Sequence, residues 1–263
     1  MARLRHPFYC PLPSHFSLSL PQNVTTMLQD KIFYTPDITP GDKTHTLPQE
    51  ESQHAVKVLR MTSGDRISLV DGQGNAYDAA ITNPHQKRCE VEILSVESNV
   101  GAHPYRLHIA IAPTKLNERM EWFLEKCTEI GIDEITPILT AHSERKELKN
   151  ERMEKIIVAA MKQSQKAFKP VLNEMTPVKK LIEQATEQQK FICHCHPGDK
   201  TPLKDCAKGG SVLVLIGPEG DFSEDEVALA DSKGFKPCSL GTSRLRTETA
   251  GIAACHTVEL INE

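Results

Sequence analysis

Residues 240–250, LGTSRLRTETA, place Arg244, Arg246 and Glu248 beside the start of a helix-like segment. A helix N-terminus concentrates positive potential, so an arginine there is disfavoured unless it serves a partner, and the natural partner is an anionic substrate. Upstream, residues 215–226, LIGPEGDFSEDE, leave an apolar run and turn through Gly217, Pro218 and Gly220 before a second helical pattern. The glycines permit close backbone approach or positive φ, Pro218 stiffens the bend, and Ser223 with Glu226 has the spacing of a capping box. Each stretch alone also reads as a plain strand-to-helix connection, with Arg246 and Glu248 paired at the surface for about 0–1 kcal/mol. Together they read differently: ligands of open α/β sheets sit outside the carboxyl ends of strands, and two such loops at one edge can build one pocket. That pocket is not a phosphate cradle. Neither glycine-rich phosphate motif is present, and Glu219 and Asp221 would repel the anion.

Such loops need a sheet to hold them. From residue 107 onward, strand-like runs at 108–112, 134–140, 190–195, 211–216 and 237–240 alternate with helical patterns at 117–131, 149–168, 223–233 and 247–261. Met120, Leu124, Cys127 and Ile130 recur at helical spacing and give the first of these helices a core face. The expectation is an α/β domain over residues 107–263 with helices on its faces. Ahead of it, short strands at 31–35, 66–70, 75–82 and 88–94, separated by turn residues, suggest a small β-barrel over residues 31–99, with a short helix or turn at 54–61. Residues 100–106 read as a linker. Residues 1–30 hold two arginines and no acid before Asp30, without the apolar stretch of a secretory signal. They are expected to be a disordered extension or a mis-called start, since Met27 lies just ahead of the first strand, and an organelle-targeting role stays open.

With 39% hydrophobic and 25% charged residues, the composition is that of a soluble globular protein, and no apolar run approaches a membrane span. The eight cysteines are scattered, which suggests reduced thiols in a cytoplasm-like compartment. The net charge of -4 gives no overall attraction to nucleic acid, so an RNA-binding role requires a local basic surface. Residues 142–170 supply one, with eight Lys or Arg against four Glu. Lys155, Lys162, Lys166 and Lys169 fall at helical spacing on one face, beside a more apolar strip of Met153, Ile157, Ala160 and Ser164. Arg145 belongs to the same run, and Lys57, Arg60, Lys87 and Arg88 in the barrel extend the footprint. A solvated helix face is the plainer reading of these charges. The run CHCH at 193–196 offers no metal site, because alternation along a strand would send its cysteines to one side and its histidines to the other.

The segment LIGPEGDFSEDEV followed by LGTSRLRTETA resembles the 16S ribosomal RNA uridine-N3 methyltransferase family, the RsmE type of the knotted SPOUT superfamily. IFYTPDI, HAVKVLRMTSGD and DGQG resemble the PUA-like RNA-binding barrel of that family, so the likeness spans about residues 31–263. It implies a C-terminal knotted methyltransferase domain and S-adenosyl-L-methionine as cofactor. Ile216, Gly217, Pro218 and Gly220 would form one wall around it, with Leu240, Gly241, Leu245 and Arg246 in the other. Methyl transfer to N3 of a uridine in 16S RNA of the small ribosomal subunit is then expected. Arg246 would stabilise charge developing on the base, and Glu248 would orient it or relay the proton. The resemblance also implies a homodimer. An RNA-binding assembly factor without catalysis and a knotted 2'-O-ribose methyltransferase are the alternatives. Asp221 departs from the pattern, since the family commonly has glycine there.

Overall fold

The computed structural model describes Leu28 and residues 31–263; the rest of the expected extension lies outside the described residues. Its elements run in the order β1 (Ile32–Tyr34), β2 (Thr44–Thr46), α1 (Gln49–Gln53), β3 (Arg66–Val70), β4 (Ala76–Asn83), β5 (Glu90–Glu97), β6 (Tyr105–Ile111), α2 (Asn117–Ile130), β7 (Glu134–Leu139) and α3 (Asn150–Gln163). Then follow β8 (Val171–Leu172), β9 (Thr176–Pro177), α4 (Val178–Gln184), β10 (Gln189–Cys193), β11 (Thr201–Pro202), β12 (Gly210–Ile216), α5 (Glu224–Ser232), β13 (Lys236–Ser239) and α6 (Thr247–Leu260).

The first five strands form one sheet in the order β1-β3-β4-β5-β2, parallel only between β1 and β3. Its edge strands meet at side-chain level, where Thr35 Oγ1 lies 2.5 Å from His45 Nε2, and Phe33, Leu47, Ile67, Leu69, Tyr77 and Val91 fill the inside. The expected helix or turn near residue 54 is α1 continuing into a π-helical turn, His54–Val58, which leaves Lys57, Val58, Leu59 and Arg60 exposed.

The second sheet is parallel, in the order β11-β13-β10-β12-β6-β7-β8, with β9 also on β7. β12 shows why: in Val212-Leu-Val-Leu-Ile216 every side chain is buried, as expected of a strand covered on both faces. α2, α3 and α6 cover one face with Phe123, Leu124, Met153, Ile157, Ala254 and Val258. α4 and α5 cover the other with Val178, Ile182 and Ala230, and Phe222 completes that layer. The two-turn α4 has only Val178 and Ile182 fully buried, with Leu181 partly so, too short a pattern to stand out in the sequence.

The two sheets are joined by more than the linker. Met161 and Ala167 pack with Leu28, Ile32, Val70 and Ala76, and Lys162 Nζ donates to Glu51 Oε1 at 2.6 Å. Gly74 N donates to Ala167 O at 3.0 Å, and Lys169 N donates to Gly72 O at 2.9 Å. The Phe168 ring lies against Gly74, where any Cβ would overlap it.

At the opposite edge from the strand exits, His108 is buried in a polar cluster. Its Nδ1 donates to Glu187 Oε1 at 2.7 Å and its Nε2 lies 2.8 Å from Thr136 Oγ1. Asn173 Nδ2 and Arg106 Nη2 donate to the two oxygens of Glu134, at 2.7 and 2.8 Å. Burial presses both carboxyls upward, but Arg106, His108 and Asn173 bring Glu134 below the usual carboxylate value, and His108 does the same for Glu187. Stability from such depressed carboxyls is complete above their ordinary pKa of 4.5 and is lost as pH falls through the lower folded values. The urea midpoint is therefore expected to fall steeply below about pH 5, with a shallower drop over that range in His108→Gln. Identical acid profiles for the two proteins would contradict this.

Candidate active site

Three parallel strand exits surround the main cleft. In the order β13-β10-β12, Cys193 pairs with Cys238 on one side and with Ile216 on the other, so the loops after all three strands open at one edge. The cleft encloses about 610 Å³, within the roughly 300–1,000 Å³ of small-molecule sites. Its walls come from residues 193–195 with Lys200, from 216–219 with Asp221, and from 238–247, with Ala250 of α6 beneath them.

The two loops singled out by sequence do face each other here. Ile216, Gly217, Pro218, Leu240, Gly241, Leu245 and Arg246 all line the cleft. Gly220 does not: it packs against His142, whose Cβ would stand 3.0 Å from an added methyl group. Gly217 also has a close neighbour, because a Cβ there would come 3.0 Å from the Phe222 ring, which would have to give way by a few tenths of an ångström. Positive φ occurs not at these two glycines but at Asp221 (64°) and Gly241 (123°). Asp221 thus adopts the left-handed conformation usual for glycine, which aspartate tolerates through local hydrogen bonds. Its Oδ2 accepts from Cys195 N at 2.7 Å and its Oδ1 from Phe222 N at 2.8 Å, so the family departure ties the second wall to the first.

The helix after this turn is capped as its sequence suggests. Glu226 N donates to Ser223 Oγ at 3.3 Å and Ser223 N donates to Glu226 Oε2 at 2.8 Å. Glu226 is 2% exposed, and its Oε1 accepts from Ala141 N at 2.8 Å, which fastens the β7 exit to α5. Thr247 Oγ1 donates to Gly217 O at 3.1 Å and fixes the start of α6 against the turn.

The charged groups divide in a way the sequence did not indicate. Arg246 is exposed at the N-cap of α6, and among the described residues no carboxylate pairs with it. Glu248 is 6% exposed and points away from the cleft, with Oε1 at 3.6 Å from Arg119 Nε and Oε2 unpartnered. The expected orienting contact from Glu248 to Arg246 is therefore replaced by one to Arg119. A separation of only two residues at the helix start puts the two side chains on different faces.

The basic array is also rearranged. α3 stops at Gln163, and Gln165 turns the chain with φ 55°, so Lys166 and Lys169 leave the helical face that carries Lys155 and Lys162. Lys162 is held by Glu51, Lys169 by Glu154 at 2.7 Å, and Lys155 by Glu151 at 3.0 Å. Lys166 Nζ donates to Ile130 O at 3.4 Å, and burial lowers its pKa. Arg145 donates from Nε to Thr114 O at 3.1 Å and from Nη2 to Lys115 O at 2.6 Å, fastening the loops after β7 and β6 together. Lys57 and Arg60 remain exposed on the first sheet.

The remaining wall of the cleft was missed in the sequence. β10 ends at Cys193, so the strand alternation expected through His196 does not extend that far. Cys193 Sγ lies 2.8 Å from Cys238 Sγ, and that contact, with burial, raises the Cys193 pKa. The available signal was positional: CHCH follows an apolar strand directly, as the other two loops do. Among the described residues, no cluster of His, Cys, Asp or Glu is arranged to hold a metal, and no helix is long and apolar enough to cross a membrane.

Comparison with known proteins covers both units. An RNA methyltransferase domain family matches residues 102–259, and an RNA methyltransferase PUA domain family matches residues 47–94. The crystal structure of a probable rRNA-methyltransferase from Porphyromonas gingivalis is 44% identical, with a TM-score of 0.83 over 88% of this chain and 98% of that one. Ribosomal RNA small subunit methyltransferase E from Neisseria gonorrhoeae, solved bound to S-adenosyl methionine, is 27% identical with a TM-score of 0.77, over 88% and 97% of the two chains. The protein of that name from Mesomycoplasma hyopneumoniae is 30% identical over 203 residues, covering 75% of this chain and 86% of its own length.

Proposed function

Since this chain belongs to the RNA methyltransferase family, alongside proteins named ribosomal RNA small subunit methyltransferase E, we propose that it transfers a methyl group from S-adenosyl-L-methionine to N3 of a uridine in small-subunit ribosomal RNA. The observation that carries this reading is the three-walled cleft at the exits of β10, β12 and β13, with a free arginine on its rim. The cleft suits the cofactor: it has the volume of a nucleoside site, apolar surface from Ile216, Leu240 and Leu245, backbone polar groups in the 217–219 and 239–243 loops, and unpartnered imidazole nitrogens at His194. When bound there, the cofactor supplies an electrophilic methyl group.

The chain's own residues supply alignment and charge. Walls joined by Asp221 and by the Thr247–Gly217 bond hold a fixed shape, so much of the rate enhancement arises from placing the reactants in line. Uridine N3 becomes nucleophilic as its proton leaves, and negative charge then spreads to O2 and O4. Arg246 neutralises that charge in this reading, which is supported by the absence, among the described residues, of any carboxylate paired with its guanidinium. Glu248 acts at one remove, by holding Arg119 against the first turn of α6.

The proposed RNA footprint comprises Lys57 and Arg60, exposed at and just after the π-helical turn beside the first sheet. Arg145, Lys155, Lys162, Lys166 and Lys169 contribute less, because each is already engaged within the chain. Leu116 at the N-cap of α2, Trp122 on it and Leu260 on α6 are 50%, 45% and 57% exposed. Apolar surface of that kind supports a homodimer, which sedimentation would detect. The proposed setting is the cytoplasm, on the small ribosomal subunit. The reading is tested by mapping methylated uridines in small-subunit RNA from cells with and without the protein, digestion and mass spectrometry separating base from ribose products. One N3-methyluridine is expected to vanish; an unchanged map would reject the proposal.

A further inference from the structure

His194 occupies the centre of the cleft edge. β10 lies between β12 and β13, so the residue following Cys193 stands between the Gly217 turn on one side and the Ser239–Leu240 loop on the other. A ligand that touches both of those loops must pass over it. Both ring nitrogens of His194 are buried, yet among the described residues neither has a hydrogen-bond partner. Buried polar side-chain atoms are normally satisfied, and two orphan nitrogens on the ring of a cleft-lining residue mark a place where a ligand supplies the partners once the ring turns to present them.

The surrounding contacts hold that ring rather than saturate it. Cys195 N donates to Asp221 Oδ2 at 2.7 Å, His196 Nε2 donates to Phe222 O at 2.7 Å, and Lys200 Nζ donates to His196 O at 2.5 Å. The loop is thus pinned on the far side of His194, while the imidazole itself is left free. The His196 ring is 5.4 Å away, centre to centre, too far to satisfy it. Burial and the nearby Lys200 favour the neutral ring, which offers one N–H donor and one acceptor lone pair. Ribose hydroxyls and the amino-acid end of a nucleoside sulfonium can engage both kinds of group.

We propose that His194 is a cofactor-contacting residue of this cleft, hydrogen-bonding the polar groups of S-adenosyl-L-methionine, and that Asp221 is the positioning residue that holds its loop. The assignment rests on the cofactor reading given above. It is tested by titrating the full chain calorimetrically with S-adenosyl-L-methionine and S-adenosyl-homocysteine, as wild type, His194→Ala and His194→Phe. The phenylalanine retains the volume of the ring and removes its polar atoms. Both variants are expected to melt close to wild type, to bind both ligands about tenfold more weakly, and to regain wild-type methyl transfer at saturating donor, so that KM for the donor rises while kcat is kept. Asp221→Gly keeps the backbone conformation, loses the tether, and should weaken binding in the same direction. Unchanged dissociation constants in both His194 variants would overturn the assignment, as would imidazole nitrogen resonances of His194 in the wild-type protein that stay in place on adding donor. A wild-type chain that binds neither ligand would instead sink the cofactor reading itself.

Discussion

Arg246→Ala is expected to lower the single-turnover rate of methyl transfer by about 10²–10³-fold while leaving the dissociation constant for S-adenosyl-L-methionine nearly unchanged. The size follows from what the side chain is free to do. Among the described residues no carboxylate neutralises Arg246, and its backbone caps α6 without help from the side chain. A guanidinium left unpaired beside a cleft retains its full capacity to stabilise charge that, in the proposed reaction, forms only as the uracil N3 proton departs. Removing it therefore acts on the transition state and not on the resting complex. Rapid-quench measurement with labelled donor and a small-subunit RNA fragment gives the rate, and calorimetry gives the binding. A variant that transfers methyl at the wild-type rate would remove Arg246 from the chemistry.

The second large effect is on stability. Gly251 lies in α6, one residue past the cleft-lining Ala250, at the point where the helix crosses α2 and β6. A Cβ there would stand 2.5 and 2.7 Å from the Phe123 ring and 3.0 Å from Ile111 Cδ1. Alanine is favoured over glycine inside a helix by about 1 kcal/mol, so an unobstructed site would gain from the substitution. Phe123 is fully buried and cannot swing aside, and overpacking of this kind costs about 1–3 kcal/mol. Gly251→Ala should accordingly be neutral to destabilising. Gly251→Val, with two further carbons and a branched Cβ, should lose about 3 kcal/mol, or roughly 6–12 °C in melting temperature for a chain of this size. The same change should weaken donor binding, because Ala250 moves with the helix. Calorimetric melting decides it: a Gly251→Val protein as stable as wild type would mean that α6 does not pack as closely as described.

How far the sequence anticipated these features depended on how local their causes are. β12 was legible because a strand buried on both faces must be apolar throughout, and residues 212–216 are. The Ser223–Glu226 cap was legible because its donors and acceptors lie within four residues. The third wall of the cleft was not, since nothing in CHCH records that β10 runs between β12 and β13. The lysine array failed for a related reason. Helical spacing was sound up to Lys162, but the chain turns at Gln165, and the partner of Lys162 is Glu51, 111 residues away. Asp221 was opaque from sequence because its role combines a left-handed backbone with a tether to Cys195, which only the folded chain brings near.

The contact of Phe168 with Gly74 bears on how such a molecule chooses its target. With a ring seated where no side chain fits, two backbone hydrogen bonds beside it and the Lys162–Glu51 pair alongside, the first sheet has no swivel relative to the cleft. The orientational entropy that a flexible tether would forfeit on gripping RNA at two places is already lost when the chain folds. On the proposed footprint, the spacing between Arg60 and Arg246 would then work as a fixed gauge. In that proposal, an RNA that presents its backbone and its uridine at that spacing would engage both at once, and one that must bend to do so would bear the cost itself.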